Sequence, residues 1–177
     1  MNRRNIFGLS VITALGLVLL PSSALAQQKS LKDQLVGTWT LVSWERVNPD
    51  GSKLQAFGAN PKGISVFDPS GRFALIIHRA DLPKLAANDR AKGTADENKA
   101  VVQGSIAYFG TYSIDEAGKT INLKLESSSF PNQLGTAAHK RVITSLTADE
   151  LKYTNPTATA GGQIHQAWKR AATVATN

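Results

Sequence analysis

The stretch TINLKLE, residues 120–126, decides the class of fold. Its apolar residues alternate with polar ones, a period of two that is typical of a β-strand with one buried face and one wet face. The turn sequence DEAG precedes it at 115–118, and the residues before that turn, 107–114, are rich in aromatic and β-branched types. Two such runs on either side of a turn predict an antiparallel hairpin.

Strand patterns of this kind recur outward from the hairpin in both directions. Turn sequences such as NPDG at 48–51 and DPSG at 68–71 separate them. Strands are predicted at 38–47, 63–67, 72–78, 107–114, 120–126, 139–146, 151–155 and 163–170, with a short edge strand at 53–57. About eight strands in successive hairpins favour an all-β antiparallel barrel, whose interior holds side chains or one small ligand. An open sandwich is the alternative.

One or two short helices accompany the strands. Residues 31–36 place apolar side chains at helical spacing before Gly37. Thr94 and Glu97 fit a capping box, in which each side chain bonds the other residue's backbone N–H, and they predict a short helix that ends near Gly104.

The first 26 residues have the pattern of a cleaved secretory signal peptide. Arg3 and Arg4 precede an uncharged apolar stretch at 6–20, and Ala24-Leu25-Ala26 supplies a small-x-small cleavage site. The apolar stretch has roughly 15 residues, fewer than the ~20 needed to span a bilayer, so no stable membrane anchor is expected after cleavage. A Sec signal is preferred, and the arginine pair also fits the twin-arginine route. We therefore expect a periplasmic or secreted domain at 27–171, with a flexible tail at 172–177.

Composition excludes several function classes. The chain has no cysteine, which excludes disulfides, thiol chemistry and a lipid-modified N-terminal cysteine. Without the two signal arginines, 18 Lys and Arg face 13 Asp and Glu, a net charge of +5. These cations form no run interleaved with aromatic residues, so no nucleic-acid partner is expected. No phosphate loop, dinucleotide fingerprint or Gly-x-Ser-x-Gly elbow occurs, and no cofactor is expected.

The stretches LVGTWTLVSWE at 35–45 and YFGTYSID at 108–115 resemble the bacterial lipocalin-like domain family. So do Phe130-Pro131-Asn132 and the closing Trp168-Lys169-Arg170, and these segments come in the family's order. The resemblance implies a lipocalin-like barrel opened by Gly37 and Trp39. It also implies that a late arginine packs across that tryptophan, with Arg170 the first candidate and Arg141 the second. Some relatives act in biosynthetic pathways, and members often have histidines where this chain has Leu123 and Lys124.

Strand parity and the family pattern select the candidate ligand-binding residues. Tyr108 and Tyr112 share one strand face with Gly110 between them, where they could line a pocket or pack as core aromatics. Arg141 shares a face with Ile143, and is either a carboxylate-binding residue inside the barrel or a structural one. The remaining candidates are His78, at the end of a strand where a long loop begins, together with Leu123 and Phe130.

The sequence supports a metal site or an acid–base catalytic site less well than a ligand-binding site. His78, His139 and His165 fall on three separate strands without the spacing of metal ligands, so no metal site is expected. Glu45, Glu126 and Asp81 could act as general bases, but strand alternation favours a solvated position for Glu126.

Three functions remain open from the sequence. The first is an exported binding protein for a small lipophilic or weakly acidic molecule, which needs a cavity of about 300 Å³ or more. The second is a cofactor-free isomerase or cyclase, which needs a buried ionisable group at the cavity floor. The third is an envelope interaction protein with a filled barrel and an exposed apolar patch.

Overall fold

The structure is a computed structural model that describes residues 29–135, 139–158 and 161–172. The predicted signal peptide lies outside the described residues, as does all but the first residue of the predicted tail. The described chain forms nine strands: β1 Gly37–Val47, β2 Lys53–Leu54, β3 Lys62–Phe67, β4 Arg72–His78, β5 Ser105–Asp115, β6 Thr120–Ser128, β7 His139–Leu146, β8 Glu150–Asn155 and β9 Gln163–Arg170. Its helices are α1 Leu31–Leu35 and α2 Ala95–Gln103, with short 3-10 turns at Arg90–Lys92 and Pro131–Gln133.

The sheet closes on itself to form the predicted barrel. Neighbouring strands from β3 to β9 pair in chain order, and β1 pairs with both β3 and β9. This closure excludes the open sandwich. The two-residue β2 pairs with the end of β1 and does not contribute to the ring. The edge strand predicted at 53–57 is therefore shorter than expected, because Phe57 leaves the strand and is buried in the core.

Because neighbouring strands run in opposite directions, each end of the barrel brings together the first residues of some strands and the last residues of others. The last residues of β1 and β8 and the first residues of β5, β7 and β9 lie at one end of the barrel, which we call the open end. Helix α2 and the segment after β6 also lie at the open end, since each adjoins a strand terminus there. Helix α1 lies at the opposite end, the closed end, because it directly precedes the start of β1.

Helix α2 begins at the predicted capping box. The Thr94 hydroxyl accepts a hydrogen bond from the Glu97 backbone N–H at 3.3 Å, and the Glu97 carboxylate accepts one from the Thr94 N–H at 2.8 Å. These bonds satisfy two backbone donors that a helix otherwise leaves unpaired at its start. Helix α2 has no buried residue, so local capping contributes more to its formation than packing does.

The closed half of the barrel is densely packed. Trp39 and Trp168, on the paired strands β1 and β9, are 0% and 1% exposed. Leu35 from α1 and Ile121 and Leu151 from two further strands are also fully buried. This apolar core supplies the stability of a domain that has no disulfide.

Three β-bulges shift the register of the barrel. They fall between Leu41 and Ser43 in β1, between Leu125 and Ser127 in β6, opposite Phe109 and Gly110 of β5, and between Ile143 and Ser145 in β7. At Gly110 an added Cβ would lie 2.0 Å from the Lys124 carbonyl oxygen, so only glycine allows β6 to approach this closely. The space predicted between the two tyrosines of β5 is therefore occupied by the backbone of β6.

Candidate functional site

A cavity of about 250 Å³ lies at the open end of the barrel. Its volume falls short of the ~300 Å³ that the binding function was expected to need, so a ligand held here is either small or protrudes from the mouth. Its apolar lining comes from four strands, two connections and helix α2, and comprises Trp44, Phe57, Ile77, Val102, Ile106, Phe130 and Ile164. Trp44 and Phe57 hold each other edge to face, with ring centroids 5.1 Å apart.

A polar cluster forms the inner part of this cavity. Arg141 of β7 is only 5% exposed, and its Nη2 donates to the Tyr108 hydroxyl at 3.3 Å. Its Nη1 donates to the Lys140 carbonyl oxygen at 2.9 Å, whereas its buried Nε has no hydrogen-bond partner among the described residues. The Tyr153 hydroxyl donates to the Gln166 side-chain oxygen at 3.1 Å. This network places a buried cation next to two phenols and an amide.

No Asp or Glu side chain balances the charge on Arg141. All 13 Asp and Glu residues lie in the described part of the chain, and none is within 4.0 Å of its guanidinium nitrogens. Burial opposes the charged form, but the phenols of Tyr108 and Tyr153 favour it and keep the pKa of Arg141 above its usual value. The guanidinium therefore stays charged in an interior where an unpaired charge is costly.

Tyr153 remains a neutral hydrogen-bonding group. Burial raises the pKa of its hydroxyl far above the usual value, with a smaller contribution from Tyr108, and the nearby Arg141 only partly offsets this. Tyr153 also stacks on Trp168, with ring centroids 6.4 Å apart. These contacts join the polar cluster to the packed closed half.

Three of the six predicted ligand-binding residues line the cavity. Tyr108 and Arg141 lie in its inner part, and Phe130 lies in the connection after β6, with 40% of its surface exposed. Their side chains therefore meet at the open end although they are far apart in the sequence.

The other three predicted residues lie elsewhere. Tyr112 and Leu123 are buried in the core, nearer the closed end, and the Tyr112 hydroxyl donates to the Asp68 carbonyl oxygen at 2.8 Å. Burial raises the pKa of Tyr112, with a smaller contribution from Asp68. His78 ends β4 at the open end but does not line the cavity, because Ile77 occupies the inward position beside it.

Several cavity residues were not predicted from the sequence. Trp44, Gln166 and His139 all line it, and the His139 ring Nε2 lies 3.1 Å from the Gln133 carbonyl oxygen. His139 and Gln166 each lie two positions from an inward-facing residue of the same strand, Arg141 and Trp168 respectively. Strand parity could therefore have indicated both.

Arg170 occupies the closed end. Its guanidinium carbon lies 4.2 Å from the centroid of the Trp39 ring, a cation–π contact. Its two Nη atoms donate to the carbonyl oxygens of Val36 at 3.0 Å and Gln34 at 2.7 Å, and its Nε donates to that of Ala148. Gly37 makes room for it, since an added Cβ would lie 2.6 Å from Nη1. Because Arg170 covers Trp39, Arg141 is not needed for that role.

The carboxylates considered as general bases lie outside the cavity. Glu45 pairs with Lys53 at 3.0 Å, while Glu126 pairs with Arg72 and Asp81 with Arg79, each at 2.8 Å. The described residues also contain no group of three or more His, Asp or Glu side chains that could hold a metal ion.

An exposed apolar patch covers the outside of three neighbouring strands. It consists of Ile64 and Val66 of β3, Ile76 of β4 and Phe109 of β5, each 37–45% exposed. Ile64 pairs directly with Ile76 across the strands. A patch of this kind is the feature that the filled-barrel alternative predicts.

A closed antiparallel barrel, packed at one end and hollow at the other, defines a lipocalin-like architecture. The chain matches the lipocalin-like domain family over residues 36–176 and therefore belongs to that family. The resemblance seen in the sequence is thus confirmed.

The solved structures that are similar to this chain include two barrels. A lipocalin-like protein from Bacteroides uniformis is 16% identical, with a TM-score of 0.42, and the match covers 78% of this chain and 99% of that one. A redesigned β-barrel is 15% identical, with a TM-score of 0.41, and the match covers 81% of this chain and 100% of that one. No curated protein matches the chain. Neither helix of the described residues is long and apolar enough to cross a membrane.

Proposed function

We propose that the protein is an exported carrier of a small lipophilic or weakly acidic molecule, held in the cavity at the open end of the barrel. The observation that carries this proposal is the cavity itself, which is lined by seven apolar side chains together with polar ones, among them Arg141 and Tyr108 in its inner part. A concave site in which apolar and aromatic side chains supply contact area and polar groups fix the orientation of the ligand is the usual form of a small-molecule site. Membership of the lipocalin-like family supports binding of small molecules in general.

The two alternative functions are less well supported. The isomerase or cyclase requires an acid–base group at the cavity floor, and none of the 13 carboxylates lines the cavity. Tyr108 and His139 do line it, but the Tyr108 hydroxyl bonds Arg141 and the His139 Nε2 lies 3.1 Å from the Gln133 carbonyl oxygen, so both are already engaged by the protein. The filled-barrel interaction protein agrees with the outer apolar patch but not with the cavity.

Native mass spectrometry of protein purified from its own compartment tests the carrier function. A stoichiometric small molecule that is released on denaturation and extracts into organic solvent is the expected result. Protein that is found empty, and that stays empty when lipophilic probes are added, would overturn the carrier function and make the interaction protein the leading alternative.

Export predicts a specific N-terminus for the mature protein. The signal pattern at residues 1–26 places cleavage after Ala26, so sequencing of protein from the cell envelope or medium should begin at Gln27. A leucine-to-arginine change at Leu17, within the apolar stretch, should leave uncleaved precursor inside the cell because a charge interrupts that stretch. Cytoplasmic protein that begins at Met1 in the unaltered chain would contradict export.

Filling the cavity should abolish binding of a neutral probe. Ile106 lines the cavity, and Ile106→Trp should weaken binding of octan-1-ol at least 10-fold, because the indole occupies the ligand's space. Ile76→Trp is the matched control, since Ile76 lies on the neighbouring strand but faces outward and is 41% exposed. Isothermal titration calorimetry of both variants makes the comparison. Equal loss in the two variants, or none in either, would show that the probe does not bind in this cavity.

A further inference from the structure

We infer that Arg141 is the anion-binding residue of the cavity and that the ligand is a small amphiphile with a single carboxylate, bound with the carboxylate inward. This inference rests on the proposed function and specifies the chemistry of its ligand. Arg141 is 95% buried, lines the cavity and carries an Nε without a hydrogen-bond partner among the described residues. Since no Asp or Glu side chain lies within 4.0 Å of its guanidinium nitrogens, a ligand carboxylate would supply the anion that this cation lacks.

The neighbours of Arg141 also favour a hydrogen-bond acceptor. The Tyr108 hydroxyl oxygen already accepts from Arg141, so the group that Tyr108 can still offer is its O–H donor. The Gln166 side-chain oxygen already accepts from Tyr153, so Gln166 presents its amide N–H donors. The inner part of the cavity is therefore a set of donors around a cation, which selects a group that accepts hydrogen bonds and bears negative charge.

The rest of the cavity determines the orientation and size of the ligand. Trp44, Phe57, Ile106 and Phe130 supply apolar contact area toward the mouth, where an alkyl or aryl body packs while the anion reaches Arg141. At the roughly 30 Å³ that a water-sized group occupies in a liquid, a volume of about 250 Å³ holds about eight non-hydrogen atoms. A short-chain or single-ring carboxylic acid fits, and a longer chain would extend through the mouth.

A carboxylate fits better than a phosphate monoester because of charge. Both groups match the two-donor geometry of a guanidinium. A phosphate monoester, however, carries close to two negative charges above its second pKa of about 6. One guanidinium neutralises only one of them, and no second lysine or arginine is among the described residues that line the cavity to balance the other.

The test compares octanoate with octan-1-ol, which has the same chain length without the charge. Calorimetry at pH 8 should show octanoate binding at least 10-fold more tightly than octan-1-ol to the unaltered protein, as expected for a charge-assisted hydrogen bond in a buried site. Arg141→Met should lose at least 10-fold in octanoate affinity and much less in affinity for octan-1-ol, whose hydroxyl can form only a weaker hydrogen bond without charge on the acceptor. Octyl phosphate should bind less tightly than octanoate.

Three further variants test whether octanoate binding depends on Arg141 and its neighbours in the cavity. Arg72→Met removes an exposed arginine on the outside of the barrel, paired with Glu126, and should leave octanoate affinity unchanged. Tyr108→Phe removes one donor and should weaken octanoate binding about threefold to tenfold. Arg141→Lys keeps the charge and should recover part of the affinity, and it replaces Arg141→Met as the test if that variant does not fold.

The outcomes separate this inference from the proposed function. Equal affinity for octanoate and octan-1-ol, unchanged in Arg141→Met, would overturn the carboxylate assignment and leave the carrier function intact. Tighter binding of octyl phosphate than of octanoate would also overturn it. No binding of any probe to the unaltered protein would overturn the carrier function, and the inference with it.

Discussion

Replacing Trp39 by alanine is expected to lower the free energy of unfolding by about 3–5 kcal/mol, the usual cost of removing a buried tryptophan. Trp39 is fully buried at the closed end, and its indole N–H donates to the Leu35 carbonyl oxygen at 2.8 Å. Its ring also lies beneath the guanidinium of Arg170. The substitution therefore removes an apolar contact surface, a hydrogen bond that ties α1 to the barrel, and a cation–π contact.

Urea denaturation followed by far-UV circular dichroism measures this loss as a lower midpoint with an unchanged slope. Trp44→Ala is the matched control, because Trp44 is the tryptophan at the open end and is only partly buried. It should cost less than about 2 kcal/mol, since the cavity beside it already limits its packing contacts. Similar losses in the two variants would contradict a barrel that is packed at one end and hollow at the other.

The barrel could be predicted from the sequence because its signals are local. Alternation in residues 120–126, turn sequences between strands, and the Thr94/Glu97 capping box each depend on a few adjacent residues. Those signals agree with the β6 strand, the hairpins and helix α2 of the structure. The family segments then indicated closure, which no local pattern specifies.

The cavity was harder to predict because bulges change strand parity. Strict alternation would place Leu41 and Trp44 on opposite faces of β1, yet the bulge between Leu41 and Ser43 allows both to face the interior. A register change of one residue moves every following side chain to the other face of the sheet. Trp44 was therefore not assigned to the site, although it is one of its largest residues.

Whether a side chain lines the cavity depends on its position along the strand as much as on the face of the strand to which it belongs. Tyr108 and Tyr112 face the same way, but four residues of β-strand separate them by about 13 Å. Strand β5 runs from the open end to the closed end, so Tyr108 reaches the cavity and Tyr112 packs in the core. Which end of a barrel is hollow depends on the side chains of all strands together, and no single strand reveals it.

Arg141→Met is expected to make the ligand-free protein more stable, by about 1–3 kcal/mol, although it removes two hydrogen-bonding nitrogens. Burying a cation without a partner anion costs free energy that two neutral hydrogen-bond acceptors only partly recover, and apolar replacements of buried charges are often neutral or stabilising. Methionine is flexible enough to fill the space beside Tyr108 and Tyr153. Urea denaturation of ligand-free protein, extracted under denaturing conditions and refolded, measures the difference. Lys140→Met, an exposed neighbour on the same strand, is the control and should change stability by less than about 0.5 kcal/mol.

With octanoate added, the unaltered protein should become more stable than Arg141→Met. Octanoate at 100 times its dissociation constant stabilises a protein that binds it by about 2.7 kcal/mol. The unaltered protein should gain this amount, whereas Arg141→Met should gain little at the same concentration. A less stable Arg141→Met variant in the absence of ligand would show that the guanidinium serves the fold through its bonds to Tyr108 and Lys140. If Arg141→Met is more stable than the unaltered protein and is no longer stabilised by octanoate, then Arg141 is retained for binding at the expense of stability.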